Sequence, residues 1–221
     1  MSNFSLNSKD LLISPSILTA DFMNLGAVVK ELQNSVDMLH FDVMDGIFVP
    51  NISIGLPVLK SVKNGTNLPL DVHLMIEKPQ NYIEDFANAG ADIITIHLES
   101  DCDVADTLRK IRTCGKLAGL AVNPKTDVKK AFKFLPMLDM LLVMSVEPGF
   151  GGQSFIEDSL EKISLAKAEI DRLELNVSIQ VDGGINEIYA EKVKTAGANI
   201  LVAGSYIINS NDMHSAIKSL K

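Results

Sequence analysis

Residues 40–46 read His40-Phe41-Asp42-Val43-Met44-Asp45-Gly46, and the predicted fold follows from this stretch. Polar or sulfur-bearing side chains alternate with Phe41 and Val43 until the turn-forming pair Asp45-Gly46, which is typical of a β-strand that ends in a loop. Successive side chains of a strand point to opposite faces. The histidine, the first aspartate and the methionine therefore share one face, while the apolar residues can pack against helices on the other.

The same alternation recurs later in the chain. The stretch Asp71-Val72-His73-Leu74-Met75 repeats it, residues 177–182 carry a polar row that ends in Asp182, and a third stretch ends at Met144. Strands with aliphatic outer faces and polar or sulfur-bearing inner faces are typical of a closed barrel wrapped by helices, with its chemistry at one mouth.

Periodicity and turn residues divide the chain into alternating strands and helices. The predicted strands span residues 12–18, 39–44, 70–75, 92–97, 117–122, 138–144, 177–182 and 200–203. The first predicted helix is capped by Asp21 or Asn24 and runs to about residue 34. The other predicted helices span residues 56–63, 79–89, 104–114, 127–134, 158–173, 186–196 and 213–220. This alternation predicts one domain, residues 1–221, folded as an α/β protein of the (β/α)₈ TIM-barrel class. The alternative, an open doubly wound sheet, would need a topological switch point and nearly all-apolar strands.

The composition argues against several classes of partner. A formal net charge of −8 and the lack of a basic run disfavour nucleic acid binding. Residues 1–10 form a polar N-terminal leader without the apolar core of a secretion signal, and no apolar run approaches the ~20 residues that span a bilayer. We therefore expect a cytoplasmic protein with no membrane contact, in which Cys102 and Cys114 stay as free thiols.

Four polar side chains fall near the ends of predicted strands and on their inner faces: His40, Asp42, His73 and Asp182. In TIM barrels the active site lies at this end of the strands. Two imidazoles and two carboxylates suit a divalent cation, with Zn²⁺ as the first choice and Fe²⁺, Mn²⁺ or Co²⁺ as alternatives. Each group alone could be a buried polar side chain with a structural partner, but burying all four without a function would be costly.

The other titratable groups are assigned lesser roles. His97 also lies on an inner face, where it could be a further ligand, a partner of a ligand or, as we favour, a packed core side chain. Asp45 stands in a turn and Asp71 begins its strand, so both are expected to be structural. His214, in the last predicted helix, is expected at the surface.

Glycine-rich loops follow the sixth, seventh and eighth predicted strands. They contain Gly149-Phe150-Gly151-Gly152, Gly183-Gly184 and Gly204-Ser205. In TIM barrels the loops after strands seven and eight often hold a phosphate through backbone N–H groups, which small residues leave accessible. The Gly-Lys-Ser/Thr ending of a P-loop is missing from the sequence. The loops therefore predict a site for a phosphorylated small molecule and do not indicate nucleotide hydrolysis.

Together, the four candidate metal ligands and the glycine-rich loops predict inversion of a stereocentre next to a ketone. A divalent cation could polarise the ketone oxygen, while two carboxylates remove a proton from one face of the carbon and return one to the other. Met44, Met75 and Met144 would then form a dry, polarisable cap over an enediolate, although core packing is the usual role of methionine.

Five motifs resemble those of the ribulose-phosphate 3-epimerase family, in the same order and spacing over nearly the whole chain. They are Ser14-Pro15-Ser16-Ile17-Leu18, residues 40–46, residues 71–75, Met144-Ser145-Val146-Glu147-Pro148-Gly149-Phe150-Gly151-Gly152-Gln153 and Val181-Asp182-Gly183-Gly184-Ile185-Asn186. The resemblance implies a barrel of the ribulose-phosphate-binding type in which His40, Asp42, His73 and Asp182 hold one divalent metal. It also implies that Asp42 accepts the proton and Asp182 donates it, with the roles exchanged in the reverse direction.

The resemblance also implies the substrate contacts and the reaction. The sugar phosphate would contact Ser16, His73, Gly149, Phe150, Gly151, Gly152, Asp182, Gly183, Gly184, Gly204 and Ser205, with the later glycines and Ser205 at its phosphate. The family interconverts D-ribulose 5-phosphate and D-xylulose 5-phosphate in the pentose phosphate pathway and the Calvin cycle. Its members are commonly homo-oligomers.

Two positions depart from the family pattern: Ile47 stands where histidine is common, and Glu147 where asparagine or aspartate is common. Both lie in loops over the predicted site, so an epimerase for a six-carbon ketose phosphate such as allulose 6-phosphate is the nearest alternative. A lyase of the orotidine-phosphate decarboxylase group is disfavoured because the second strand lacks the lysine of the Asp-x-Lys-x-x-Asp motif. The non-enzyme alternative is a barrel that only binds a sugar phosphate.

Overall fold

The computed structural model describes residues 4–7 and 9–221, through which eight parallel strands run. They are β1 (Leu12–Ile13), β2 (Leu39–Met44), β3 (Leu70–Met75), β4 (Ile93–His97), β5 (Leu117–Val122), β6 (Met140–Met144), β7 (Ser178–Asp182) and β8 (Ile200–Val202). Parallel ladders join them in the order β1-β8-β7-β6-β5-β4-β3-β2. The ring closes through a bridge between Ser16 and His40, whose N–H donates to the Pro15 carbonyl oxygen at 3.0 Å. The predicted (β/α)₈ barrel is confirmed.

The described residues also form eight α-helices, which connect the strands and pack around them. They are α1 (Leu25–Leu32), α2 (Leu56–Gly65), α3 (Ile83–Ala89), α4 (Val104–Thr113), α5 (Ser159–Arg172), α6 (Glu187–Ala196), α7 (Gly204–Ile208) and α8 (Met213–Leu220). Within the described ranges, none of the helices has the length and apolar character needed to cross a membrane. Cys102 and Cys114 form no disulfide, as predicted.

Two predicted helices differ in the structure. Residues 127–134 were predicted to be α-helical but belong to a 3-10 helix, Val128–Met137, which Asp127 caps. This helix ends just after Pro136, a residue that has no N–H to donate to a further turn. The helix predicted to begin at residue 79 is divided into a 3-10 turn, Pro79–Asn81, and α3.

The first and last strand units also depart from the prediction. β1 ends at Ile13 rather than extending to residue 18, because the following Pro15 cannot donate to a ladder. The chain instead makes a 3-10 turn at Ile17–Thr19. The short helix α7, which follows β8 directly, was not predicted.

The two faces of the strands lie in different surroundings. Phe41 on the outer face of β2 belongs to the same buried apolar cluster as Leu32 of α1 and Leu59 of α2. On the inner face, the side-chain amide of Gln180 in β7 donates to Asp71 in β3 at 2.6 Å across the barrel. Apolar side chains therefore hold the helices, while polar side chains meet inside the barrel, as the alternation predicted.

An apolar floor closes the N-terminal end of the barrel. Its buried members are Leu6, Met38, Ile93, Met140 and Ile200, and Phe4 packs against them. The segment predicted as a polar leader thus includes two apolar side chains that pack on the barrel. Residues 1–3 and 8 of that segment lie outside the described residues.

Candidate metal centre and substrate cavity

The structure brings the four predicted metal ligands together at the C-terminal ends of the strands. His40 and Asp42 come from β2, His73 from β3 and Asp182 from β7, and one ligand atom of each lies within 4.8 Å of the others. Asp42 Oδ1 lies 3.3 Å from His40 Nε2 and 3.1 Å from His73 Nδ1. Asp182 Oδ2 lies 3.8 and 3.9 Å from the same two nitrogens. Two imidazole nitrogens and two carboxylate oxygens that converge in a buried site fit a divalent cation.

A buried hydrogen-bond chain orients His40. Its Nδ1 lies 2.7 Å from Asp71 Oδ2, which also accepts a hydrogen bond from Gln180 at 2.6 Å. Because an ionised carboxylate can only accept, His40 donates through Nδ1 and directs Nε2 to the centre. Asp71, which was expected to be structural, therefore positions a predicted metal ligand. This role was not predictable from the sequence, because Asp71 and Gln180 are 109 residues apart in the chain.

Two serines position the carboxylates. Ser16 Oγ donates to Asp42 Oδ2 at 2.5 Å, so a residue predicted to contact substrate also holds a predicted base. Ser145 Oγ lies 2.9 Å from the carbonyl oxygen of Asp182 and 2.7 Å from that of Gly183, which fixes the end of β7. Ser145 was not predicted as a site residue, although it stands inside the glycine-rich motif.

The surroundings push the pKa values of the two carboxyl groups apart. Burial acts to raise the pKa of Asp42, but the positive charge of His40 and its hydrogen bond to Asp42 outweigh burial and lower that pKa far below the usual range. Burial, together with the negative charge of Asp42, raises the pKa of Asp182 to about 7. Near neutral pH the pair thus contains one ionised carboxylate and one group able to hold a proton, the division expected of a base and an acid.

The pKa values of the buried histidines are also shifted in opposite directions. Burial acts to lower the pKa of His40, but the carboxylates of Asp42 and Asp71 outweigh it and raise the pKa well above its usual value. Burial dominates for His73, whose pKa is lowered, and for His97, whose pKa falls to about 4. His97 Nε2 lies 2.7 Å from His73 Nε2. His97 is therefore a partner of a predicted ligand and not simply a packed core side chain.

One cavity connects this cluster with the glycine-rich loops. Asp42 and Asp182 line it together with Ser16, Met44, Met75, Met144, Gly149, Phe150, Gly151, Gly152, Gly183, Gly184, Gly204 and Ser205. His40 and His73 are completely buried behind the lining. The predicted contact between His73 and substrate therefore stays a prediction, whereas the other predicted contact residues all border one space.

The loops over the cavity are held in shape by their glycines and by one amide. Gly183 and Gly184 have φ values of 120° and 65°, a region that side chains rarely adopt. A Cβ at Gly184 would lie 2.5 Å from the backbone nitrogen of Phe155. Asn51 Nδ2 donates to the Gly149 carbonyl oxygen at 2.8 Å, which ties the loop after β2 to the loop after β6.

The remaining predicted positions lie outside the cavity. Ile47 is exposed at the rim, and Glu147 forms an ion pair of 2.8 Å with Lys125. Asp45 is structural, as expected, because its carboxylate accepts three backbone N–H groups. His214 is exposed, also as expected.

The fold and the site together define a TIM-barrel protein with a candidate metal centre at the mouth of its barrel. A sequence model of the Ribulose-phosphate 3 epimerase family matches residues 12–208. The chain belongs to this family. The family predicted from the sequence motifs is therefore confirmed.

Curated relatives agree with the family assignment. The chain is 45% identical to the protein named Ribulose-5-phosphate-3-epimerase, chloroplastic, of Arabidopsis thaliana, over 97% of this chain and 78% of that protein. It is also 45% identical to the proteins named Ribulose-phosphate 3-epimerase of Synechocystis sp. and Bacillus subtilis, over 97% and 95% of this chain and 94% and 97% of theirs. The predicted enzyme class, an isomerase that epimerises a sugar phosphate, is confirmed. The name of the Arabidopsis protein indicates that location varies among the relatives.

Solved structures of lower identity share the barrel. A crystal structure of 3-hexulose-6-phosphate synthase has a TM-score of 0.73 and 18% identity, covering 95% of this chain and 98% of that chain. Orotidine 5′-phosphate decarboxylase from Pyrococcus horikoshii has a TM-score of 0.68 and 16% identity, covering 95% and 97%. At these identities the likeness is one of fold and carries no assignment of activity.

Proposed function

We propose that the protein interconverts D-ribulose 5-phosphate and D-xylulose 5-phosphate by metal-dependent inversion at C3. The observation that carries this proposal is the single cavity that Asp42 and Asp182 share with three glycine-rich loops. Such a cavity can hold a phosphate at the loops while a carbon atom lies between two carboxyl groups. Membership of the Ribulose-phosphate 3 epimerase family supports this choice of reaction.

The substrate would lie across the cavity with its phosphate at the loops after β7 and β8. Backbone N–H groups of Gly183, Gly184 and Gly204 and the side chain of Ser205 would hold the phosphate. The run at residues 149–152, tied to the β2 loop through Asn51, would cover the sugar from above. Ser16 would contact the sugar near the reacting carbon.

Two proton transfers would complete the inversion. The ionised Asp42 takes the proton from C3, the electrons of that bond move to the neighbouring carbonyl oxygen, and an enediolate forms. Asp182, as a carboxylic acid, then gives a proton to the opposite face of C3, and the carbonyl is restored. After one turnover Asp42 holds the proton and Asp182 is ionised, so the reverse direction starts with exchanged roles. Met44, Met75 and Met144 would keep water away from the enediolate.

His40, Asp42, His73 and Asp182 would hold one divalent cation, with Zn²⁺ as first choice and Fe²⁺, Mn²⁺ or Co²⁺ as alternatives. When bound, such a cation supplies positive charge that stabilises negative charge on the substrate oxygens. The chain prepares the site through the hydrogen bond from His40 to Asp71 at 2.7 Å.

We further propose a cytoplasmic homo-oligomer that serves the pentose phosphate pathway. The sequence resemblance supports the oligomer and the pathway, and the free thiols of Cys102 and Cys114 support a reducing compartment. Light scattering coupled to size-exclusion chromatography would measure the oligomeric state, and a monomer at working concentrations would contradict it.

The first experiment is NMR of D-ribulose 5-phosphate with the purified protein in D₂O, beside a parallel sample of allulose 6-phosphate. We expect deuterium at C3 together with formation of D-xylulose 5-phosphate. Exchange with the hexulose alone would transfer the proposal to the six-carbon epimerase. Failure with both sugars after addition of Zn²⁺, Fe²⁺ and Mn²⁺ would overturn the enzymatic proposal in favour of a binding barrel.

A further inference from the structure

A chain of polar contacts leads from His73 away from the candidate metal centre, and the proposed reaction does not use it. His73 Nε2 lies 2.7 Å from His97 Nε2, and His97 Nδ1 lies 3.4 Å from Glu99 Oε2. The other carboxylate oxygen of Glu99 accepts the backbone N–H of Asn123 at 3.0 Å. The chain therefore runs from a predicted ligand through one buried imidazole to a carboxylate near the surface.

Hydrogen-bond directions along this chain can be assigned from its outer end. The carboxylate of Glu99 can only accept, so His97 Nδ1 carries the proton that it donates to Glu99. A neutral imidazole with a proton on Nδ1 has a lone pair on Nε2. His97 Nε2 therefore accepts, and His73 Nε2 must donate. The lone pair of His73 then lies on Nδ1, the atom that faces Asp42 Oδ1 at 3.1 Å and forms part of the candidate metal site.

Packing holds the middle of the chain in place. His97 is completely buried and stacks on His73 with ring centroids 4.9 Å apart, and Phe48 lies over it at 4.7 Å. The outer end is held as well, because Lys162 Nζ donates to the backbone carbonyl oxygens of Asn123 and Thr126 at 3.2 and 2.7 Å. The loop whose Asn123 N–H holds the Glu99 carboxylate is therefore itself anchored.

We propose that Glu99 is a positioning residue which, through His97, fixes the tautomer of His73 so that Nδ1 offers its lone pair to the metal. Glu99 and His97 touch neither the substrate cavity nor the metal position, so they act only through His73. The inference rests on the proposed function in assuming that the four-residue cluster binds a divalent cation. Partners that orient a ligating histidine in this way commonly change metal affinity about 10–100-fold when they are altered.

Substitution Glu99→Gln separates this role from simple packing. The backbone N–H of Asn123 requires an acceptor, so the carbonyl oxygen of the new amide stays on Asn123 and its NH₂ group faces His97 Nδ1. A donor at that point moves the His97 proton to Nε2, and His73 must then carry its own proton on Nδ1. The substitution keeps the size of the side chain while reversing the hydrogen bonds along the chain.

The test measures Zn²⁺ affinity of the metal-free full-length protein by competition with a chromophoric chelator. We expect Glu99→Gln to weaken Zn²⁺ binding about 10–100-fold. The matched control is Glu169→Gln, which removes the same charge from an exposed ion pair with Arg172 on α5 and should leave the affinity unchanged. Circular dichroism of both variants checks that the barrel has formed.

A second variant tests whether Glu99 acts through His97. In His97→Gln the amide oxygen can accept from His73 Nε2 without help from residue 99, so adding Glu99→Gln should produce no further loss of affinity. Independent losses that multiply would overturn the proposal, as would an unchanged affinity in folded Glu99→Gln. Proton-nitrogen NMR of the metal-free protein gives a readout without metal: His73 should be protonated at Nε2 in the wild type and at Nδ1 in Glu99→Gln.

These readouts distinguish the inference from the proposed function. If the wild-type protein bound no Zn²⁺, Fe²⁺ or Mn²⁺, the proposed metal role would fail. The NMR measurement of the His73 tautomer would still test the hydrogen bonds from Glu99 through His97 to His73. If the wild type bound metal and His73 had the same tautomer in the wild type and in Glu99→Gln, the positioning role of Glu99 would be refuted and the metal role would stand.

Discussion

At the scale of single residues, the site illustrates how one residue type acquires opposite properties from its neighbours. Asp42 accepts from Ser16 and lies against the imidazole of His40, whose charge outweighs burial and keeps the pKa of Asp42 low. Asp182 is buried beside the charge of Asp42, and its pKa rises to about 7. Alternation alone places both aspartates on inner strand faces. Alternation does not divide their roles by environment, because Ser16 and the Asp71 that holds His40 come from other parts of the chain.

Replacing Asp182 with asparagine should stop epimerisation without unfolding the barrel. The change removes the proposed proton donor and one candidate ligand, so we expect turnover to fall at least ~10²–10⁴-fold, the usual contribution of a general acid or base. Initial rates with D-ribulose 5-phosphate measure the loss. Asp171→Asn, at an exposed residue of α5 paired with Lys167, is the control and should keep full activity. A folded Asp182→Asn protein with near-wild-type turnover would rule out the two-carboxylate mechanism.

Zn²⁺ affinity should fall as the pH is lowered. Burial acts to lower the pKa of His40, but the carboxylates of Asp42 and Asp71 outweigh burial and raise it. The ring therefore keeps its Nε2 proton at pH values above the usual pKa of histidine. Zn²⁺ must displace that proton, which becomes harder at lower pH and easier at higher pH. Each displaced proton should change the affinity by about tenfold per pH unit, and below about pH 7 Asp182 holds a second proton that Zn²⁺ must displace. Titrations between about pH 6 and pH 8 measure the slope, and a flat profile over this range would contradict the expected displacement.

At the scale of elements, the sequence pattern was most informative where strands are buried on both sides. β2 and β3 have the predicted bounds because their alternation continues without interruption up to turn residues, and β5 has them because Asn123-Pro124 ends its apolar run. Two elements that contain or adjoin a proline differ from the prediction. Pro15 shortens β1, and the helix that contains Pro136 is of the 3-10 type. The contacts that refine the site were not predictable, because alternation specifies the face of a side chain but not its partner on another strand.

One connection is used twice between a helix and the next strand. The two Ala-Gly-Ala tripeptides end α3 and α6, and their glycines, Gly90 and Gly197, both have φ of 113° and cap the helix. In each case a Cβ would approach the stem of a lysine from the preceding helix unit, Lys63 or Lys167, at 2.5 Å. The repeated tripeptide in the sequence therefore reflects a repeated backbone shape with the same steric requirement.

Gly197→Ala should destabilise the protein by about 1–3 kcal/mol, because alanine at positive φ is strained and its Cβ would press on Lys167. Gly26→Ala provides a control of opposite sign. Gly26 is exposed within α1, where an added Cβ would meet no atom within 4 Å, and the protein should gain roughly 0.5–1 kcal/mol from alanine there. Urea unfolding measures both free energies. Equal effects of the two substitutions would refute the steric argument.

At the scale of the whole molecule, stability and chemistry are concentrated at opposite ends of the barrel. The candidate metal centre and the cavity lie at the C-terminal ends of the strands, where the loops carry glycines and polar groups. The N-terminal end is closed by the apolar floor, to which Leu6 and Phe4 contribute. The eight-strand alternation predicted only the first part of this division, the chemistry at one mouth of the barrel. It did not predict that the first residues of the chain pack on the floor, because two apolar residues in a polar segment carry no periodicity.

Leu6→Ala should therefore lower stability without changing catalysis. Leu6 is only 8% exposed, and truncating a buried leucine leaves a cavity in the floor, so we expect a loss of about 2–3 kcal/mol. For a chain of this size that corresponds to a fall in Tm of about 4–12 °C. Thermal unfolding and turnover of D-ribulose 5-phosphate are measured on the same preparation, with Lys9→Ala at an exposed neighbouring position as control. Because the floor is separated from the mouth by the inner layers of the barrel, kcat and KM below the transition should match the wild type. A loss of turnover in the folded variant would mean that the two ends are coupled, and an unchanged Tm would mean that Leu6 does not close the floor in solution.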